Sequence, residues 1–294
     1  MLNRYMKESR ENVDRVIEEY LSELEYPYVI AEGMRYSVLN GGKRIRPILL
    51  FMTLELLGKS RELGFGSGVA IEMIHSYSLV HDDLPAIDND DYRRGKLTTH
   101  RKFGEAAAIL IGDGLLTYAF TILAEKNQKI SPDKVIKIIG KIAQYSGING
   151  MLGGQMVDIE SEGKVIDFET LKYIHKNKTG KLISLPIEVG CIIGEAGEKQ
   201  TELLKKYGEL LGLAFQIRDD ILDVEGSFEK LGKPIGSDIG LKKSTYPSIF
   251  GMDEAKKILE SICGEATKIT RENFSGDIAQ IFVDLVKYVG ERES

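Results

Sequence analysis

Apolar residues recur along this chain at intervals of three and four, not two. Val13, Val16, Ile17, Tyr20, Leu21 and Leu24 form one such series, the spacing of a single helix face. "RPILLFMTLELLG" opens on a proline suited to a first helical turn and stops at Gly58. "GVAIEMIHSYSLVHDD" is nearly uniformly apolar until its aspartates, and "EAAAILIGDGLLTYAFTILAE" has the same character. Helices that are apolar all round are usually buried. "SPDKVIKIIGKIAQYSG" carries a serine cap, a proline at the first position and a stop glycine. "DFETLKYIHKNKTGKLISLPIEVGCIIG" and "EKQTELLKKYGELLGLAFQIRDDILDVEG" predict two more long helices. Alternating β-branched runs bounded by turns are hard to find. The pattern predicts an all-α protein of roughly ten or more helices, with the apolar ones at the centre. No low-complexity linker, composition shift or internal repeat divides the chain, so residues 1–294 are expected to form one domain.

Composition narrows the setting. Of 294 residues, 43% are hydrophobic, ample for a core, and 39 basic residues face 45 acidic ones for a net charge of −6. That balance argues mildly against a nucleic-acid partner, which would want a basic surface. The two cysteines, Cys191 and Cys263, show neither a pairing pattern nor metal-ligand spacing, which fits a reducing compartment. The first twenty residues are charged from the start and contain no apolar signal core. No uncharged apolar run of about 18 residues occurs, so no membrane span and a cytoplasmic setting are expected.

The chemistry concentrates in "LVHDDLPAIDNDDYRRGKLTTH", which places five aspartates in ten residues and then two arginines. Carboxylates this close repel one another unless something positive sits among them or all of them face water. Asp82 and Asp83 close a buried helix that Pro85 must end, and Asp88 follows a short turn. Acids at the end of a buried helix stand at the wall of a cavity. There they suit Mg²⁺, which is typically held by one or two carboxylates together with substrate phosphates; the same residues could instead form a solvated acidic loop. In "FQIRDDILDVEG", Asp219 and Asp223 are four apart on one helix face, framed by Leu211, Phe215 and Leu222. Asp220 is turned away from them by roughly 100°. Two such segments facing each other across a helix bundle could hold several divalent ions, as a diphosphate requires.

Basic residues complete the pattern. Lys43, Arg44 and Arg46 precede a helix in "GGKRIRP", Arg93 and Arg94 follow the first acid cluster, and Lys178 and Thr179 lie in "KNKTGK". Lys233, Lys242 and Lys243 sit in further glycine-flanked turns. Each alone reads as a solvated surface charge. Together, beside glycines, they read as an anion site in which arginine grips phosphate bidentately and lysine acts as a point charge. His75 lies two turns before Asp82 on nearly the same face, either a core histidine or a phosphate donor at the cavity edge. No HExxH, GxSxG, P-loop or GxGxxG motif is present.

The segments "GGKRIRP", "EMIHSYSLVHDDLPAIDNDDYRRG", "GGQMVDI", "KNKTGKLI", "FQIRDDILD" and "GLKKSTYP", taken in this order, resemble the trans-isoprenyl diphosphate synthases of the polyprenyl synthetase family. The resemblance implies an all-α bundle around a central cavity, homodimeric, joining an allylic diphosphate such as dimethylallyl or geranyl diphosphate to isopentenyl diphosphate. It implies that Asp82, Asp83, Asp88, Asp219, Asp220 and Asp223 hold about three Mg²⁺, for which Mn²⁺ is an acceptable substitute, on the allylic diphosphate. It implies that Arg93, Lys178, Lys233 and, less securely matched, Lys243 grip that diphosphate. Lys43, Arg46, His75 and Arg94 match the isopentenyl diphosphate site, and Thr179 and Gln216 lie where the family places oxygen dipoles near the allylic cation. Asp82, Asp88, Arg93, Lys178, Thr179, Gln216 and Asp219 are thereby the expected catalytic set.

Product length is read from the positions four and five before Asp82, Ser78 and Tyr77, which lie one turn deeper on that helix. The bulk of Tyr77 could floor an apolar channel for the growing tail. The Pro85-Ala86 insertion resembles bacterial members of the family that stop at C15, the farnesyl length; a C20 product is the alternative. A terpene cyclase would carry a different second motif in place of "DDILD" and would not need the isopentenyl site, and a non-catalytic partner subunit would tend to lose one Asp-rich motif.

Overall fold

The computed structural model describes residues 1–225 and 244–292. The first helices are α1 (Leu2–Ser22), α2 (Tyr28–Leu39), α3 (Ile45–Leu56), α4 (Phe65–Asp82), α5 (Thr99–Phe103) and α6 (Glu105–Glu125). They are followed by α7 (Pro132–Ser146), α8 (Met151–Ser161), α9 (Phe168–Ile174), α10 (Lys181–Gly194) and α11 (Glu198–Glu225). After residue 243 come α12 (Tyr246–Phe250), α13 (Met252–Asn273) and α14 (Asp277–Glu291). The predicted all-α class is the observed one.

Helix α1 is amphipathic and buries Val13, Val16, Ile17 and Leu21, the stripe expected from their spacing. α3, α4 and α10 are apolar on every side because each is surrounded by protein. α4 packs against α6, α3, α1, α2 and α10. α3 and α10 are shared between two apolar clusters. Leu50, Phe51 and Leu54 of α3, with Leu182, Leu185 and Val189 of α10, join the cluster around α4 and α6. Ile48, Leu49 and Met52, with Ile183, Ile187 and Cys191, join the cluster around α11, α13 and α14.

α6 departs from expectation. By length and composition it is apolar enough to cross a membrane, although Asp113 interrupts its apolar run. It packs on α4 and α2 and leaves Ile109 and Leu110 exposed.

Two further departures shape the site. The segment read as one helix from Phe168 to Gly194 is interrupted at His175–Gly180, which winds as a π-helical turn between α9 and α10. Such wider turns are rare and cluster at functional sites. A short antiparallel hairpin also follows the first acid cluster, β1 (Tyr92–Arg93) with β2 (Lys96–Leu97). Its two-residue turn, Arg94-Gly95, has φ of 54° and 76°, the positive pair of a type I′ turn, which a glycine at the second position favours.

Candidate active site

Helix α4 delivers the first acid cluster. It ends at Asp82 with Asp83 as its cap residue, and Asp88 returns to it through its N–H, which donates to the Asp82 carbonyl at 2.9 Å. The two neighbouring carboxylates meet different surroundings. Asp83 is buried and receives Arg93, whose Nε lies 2.8 and 3.0 Å from its two oxygens and whose Nη2 lies 2.5 Å from one. Asp82 is half-buried. Burial pushes its carboxyl up to about 6; Asp88 and Asp83 add to the shift, while Lys178 and Arg93 oppose it.

The π-turn supplies that lysine. Lys178 donates to Asp158 of α8 at 2.5 Å, and its charge reaches Asp82. The turn is held by close backbone contact on two sides. A Cβ at Gly154 of α8 would lie 2.2 Å from the Lys178 nitrogen, and one at Gly212 of α11 would lie 2.9 Å from the Gly180 Cα. Larger residues there would push α8 and α11 off the turn. Thr179 and Gln216 are both half-buried on these elements.

The second acid segment spreads its carboxylates around α11. Asp219 is 45% exposed and receives Arg292 at 2.5 Å. Asp220 is buried, and its Oδ2 accepts the Tyr246 N–H at 2.8 Å at the start of α12. Its Oδ1 lies 3.6 Å from His175 Nε2, and the imidazole stacks on Tyr246. Burial holds His175 down to about 4, with Lys178 assisting and Asp158 opposing. Asp223, four residues after Asp219, is buried.

Among the described residues, no three acids, histidines or cysteines converge as a ready metal cluster. Like charges cannot be brought together without a cation between them. Here Asp83 is bound to Arg93, Asp219 to Arg292 and Asp158 to Lys178. The donors still fit a hard divalent ion. They are all oxygens, and one or two per ion suffice when a diphosphate supplies the rest.

The basic residues gather on the other side of the hairpin. Arg94 donates to the Gly41 carbonyl, and a Cβ at Gly42, where φ is +127°, would lie 2.8 Å from its guanidinium. The glycine pair of "GGKRIRP" is therefore the floor on which Arg94 rests. Burial lowers Arg46 to about 10, with Glu72 opposing and Arg94 assisting. His75 is pushed well below the usual histidine range by burial and by the charges of Arg46, Arg94 and Arg93. The charges of Arg46 and Arg94 thus both reach His75 on α4. Lys43 is exposed, with its Nζ 5.6 Å from the ring centre of Tyr288.

Arg44 does not join this pocket. It is the buried one of the three, with φ of 52°, and it bonds Asp14 at 2.7 Å, Glu72 at 2.9 Å and the Val38 carbonyl at 2.8 Å. It braces the loop from within. Lys233, Lys242 and Lys243 lie outside the described residues. Tyr77 and Ser78 are both buried on α4. Ser78 donates back to the His75 carbonyl at 2.9 Å, while Tyr77 lies edge-on to His81 and is near enough to Asp82 to feel its charge.

The polyprenyl synthetase family model matches residues 27–281. Farnesyl diphosphate synthase of Geobacillus stearothermophilus is 48% identical over 259 residues, 88% of this chain and 87% of that enzyme. The chloroplastic geranylgeranyl pyrophosphate synthase of Catharanthus roseus is 40% identical over 99% of this chain and 81% of its own. The crystal structure of a geranylgeranyl pyrophosphate synthetase from Pyrococcus horikoshii superposes with a TM-score of 0.89 at 33% identity, covering 99% of this chain and 98% of that one.

Proposed function

This chain belongs to the polyprenyl synthetase family, and from that premise we propose that it condenses isopentenyl diphosphate with C5 and C10 allylic diphosphates to give farnesyl diphosphate. The observation that carries this reading is the parting of two adjacent arginines. Arg93 turns to Asp83 at the acid edge, and Arg94 turns to the glycine loop beside Arg46 and His75. One hairpin therefore separates an acidic subsite from a basic one, which suits two diphosphates held side by side.

In this reading the allylic diphosphate lies between Asp82, Asp83 and Asp88 on one side and Asp219 and Asp223 on the other. Asp220 contributes from behind, because its bond to the Tyr246 N–H fixes the end of α11. Divalent cations such as Mg²⁺, when bound, supply Lewis-acid neutralisation of the charge that collects on the leaving diphosphate. Arg93 and Lys178 bind the same group, and Lys233 and Lys243 are proposed to join them. Asp83 and Asp158 hold the first two cations in place until the anion arrives. Lys43, Arg46, His75 and Arg94 bind isopentenyl diphosphate and orient its double bond towards the allylic carbon. Thr179 and Gln216 present oxygen dipoles to the cation formed when the C–O bond breaks. The double bond then attacks, and the proton that is lost passes to the departing diphosphate, so no carboxylate base is required.

The C15 length is supported by Tyr77, which is 5% exposed one turn below Asp82. The likeness to enzymes named for geranylgeranyl products keeps C20 as the second reading. With labelled isopentenyl diphosphate and a C10 starter, incorporation should require Mg²⁺ and cease in excess EDTA; undiminished incorporation in EDTA would contradict the metal reading.

The same proposal includes a cytoplasmic homodimer. Ile109 and Leu110 of α6, with Ile148 just before α8 and Leu152 and Met156 on it, are large exposed apolar side chains, and a second copy of the chain would cover them. Sedimentation at the 32.8 kDa mass of one chain would contradict it.

A further inference from the structure

The mechanism leaves one buried cation without a task. Arg292 follows the last turn of α14, and its side chain is only 8% exposed. Its Nη2 donates to Asp219 at 2.5 Å and to the Phe215 carbonyl at 3.1 Å, and its guanidinium carbon lies 3.8 Å from the Phe215 ring centre. Its own carbonyl accepts the Arg218 Nε–H at 2.8 Å. Four residues earlier, Tyr288 lies against Lys43. The end of α14 thus touches both subsites.

We infer that Arg292 is an internal counter-ion that occupies Asp219 while no divalent cation is bound there and withdraws when metal and diphosphate arrive. The inference rests on the reading of Asp219 as a metal carboxylate. An arginine in bonding contact with a carboxylate repels a divalent ion approaching the same oxygens, modestly here because Asp219 is partly solvated. Tail docking and metal binding therefore compete for one side chain. The guanidinium also places a positive charge against Asp219, which offsets repulsion from the neighbouring carboxylates. Arg292 has no part in ionisation, so its effect lies in the metal affinity of the protein without substrate.

The 294-residue protein is titrated with Mn²⁺, free Mn²⁺ being read by its paramagnetic resonance, with and without inorganic pyrophosphate. Without pyrophosphate, Arg292→Gln should bind Mn²⁺ tighter than the wild type by about three- to fivefold, the size of effect an ion pair of this exposure exerts. Arg292→Lys, which restores a point charge, should return towards the wild-type value. Equal affinities in the wild type and Arg292→Gln would overturn the inference alone. Absence of Mn²⁺ binding in both proteins, even with pyrophosphate, would overturn the metal reading and the inference with it. The wild type offers a second measurement that does not depend on the variant folding. Trypsin must take the Arg292 side chain to cut after it, so loss of the last two residues should be slow in metal-free protein and speed up with Mn²⁺ and pyrophosphate. Cleavage after Arg4, whose side chain is 86% exposed, serves as the internal reference. A rate at Arg292 that is unchanged or slowed by Mn²⁺ and pyrophosphate would overturn the inference.

Discussion

Replacing Asp82 by alanine is expected to lower turnover by about a thousandfold or more while leaving the protein folded. A cation polarising a phosphoryl oxygen supplies several kcal/mol of transition-state stabilisation, and each ~1.4 kcal/mol is a factor of ten in rate. Asp82 is where that loss should be largest. It is half-buried at the end of α4, faced by Asp88 and Asp83 and reached by Lys178. Its carboxylate is an unfavourable charge in the metal-free fold, since burial already pushes the group up to about 6. Removing it should therefore leave the melting temperature unchanged or raise it, the usual mark of a residue kept for function at a cost in stability. Asp219→Ala should fall in the same direction. Asp91→Ala is the control: Asp91 is exposed and paired with the exposed Arg101, and its loss should change turnover by less than about twofold, as for other surface pairs. Steady-state rates and thermal melts on the three variants check this. Near wild-type turnover in Asp82→Ala would remove it from the metal site.

Tyr77→Ala carries the second large effect, on product rather than rate. Tyr77 is 5% exposed on α4 and stands five residues before Asp82, more than one helical turn from it. It packs edge-on against His81, itself held with its Nε2 3.1 Å from the Ile109 carbonyl. Tyr77 thus belongs to the apolar cluster that α4 and α6 share. Truncation opens a cavity in line with the growing tail, which a longer prenyl chain would fill. The main product should move from C15 to C20 and beyond. The cavity should also destabilise the unliganded protein by about 3–5 kcal/mol, as aromatic-to-alanine changes in cores do. Tyr77→Phe, which keeps the ring, should keep the C15 product. An unchanged product spectrum in Tyr77→Ala would take the floor away from this residue.

What the sequence disclosed, it disclosed through local spacing. The apolar run ending in aspartates became α4, and the segment from Glu198 became α11, helical as far as residues are described, to Glu225. The acid and basic motifs were legible because each is packed into a few consecutive residues. The features that escaped depend on parts of the chain far apart in sequence. The π-turn is pressed between Gly154 and Gly212, and no helical period within "HKNKTG" announces it. Strands of two residues are too short to alternate visibly, so the hairpin that separates Arg93 from Arg94 had no signature beyond the glycine after them. Arg44 looked like its two neighbours until Asp14 and Glu72 were seen to enclose it. Asp158 lay within a recognised motif without a role until Lys178 was found on it. Arg292, 73 residues from Asp219, had no signal at all.

The most direct test is the chain length of the products. Purified protein is given Mg²⁺, labelled isopentenyl diphosphate and, in separate reactions, C5, C10 and C15 allylic diphosphates, and the alcohols are sized after dephosphorylation. The expected result is a dominant C15 alcohol from the C5 and C10 starters, with the C15 starter left unextended. Products of C20 or longer would keep the condensation and contradict the C15 product, and no elongation from any starter would contradict the prenyltransferase itself.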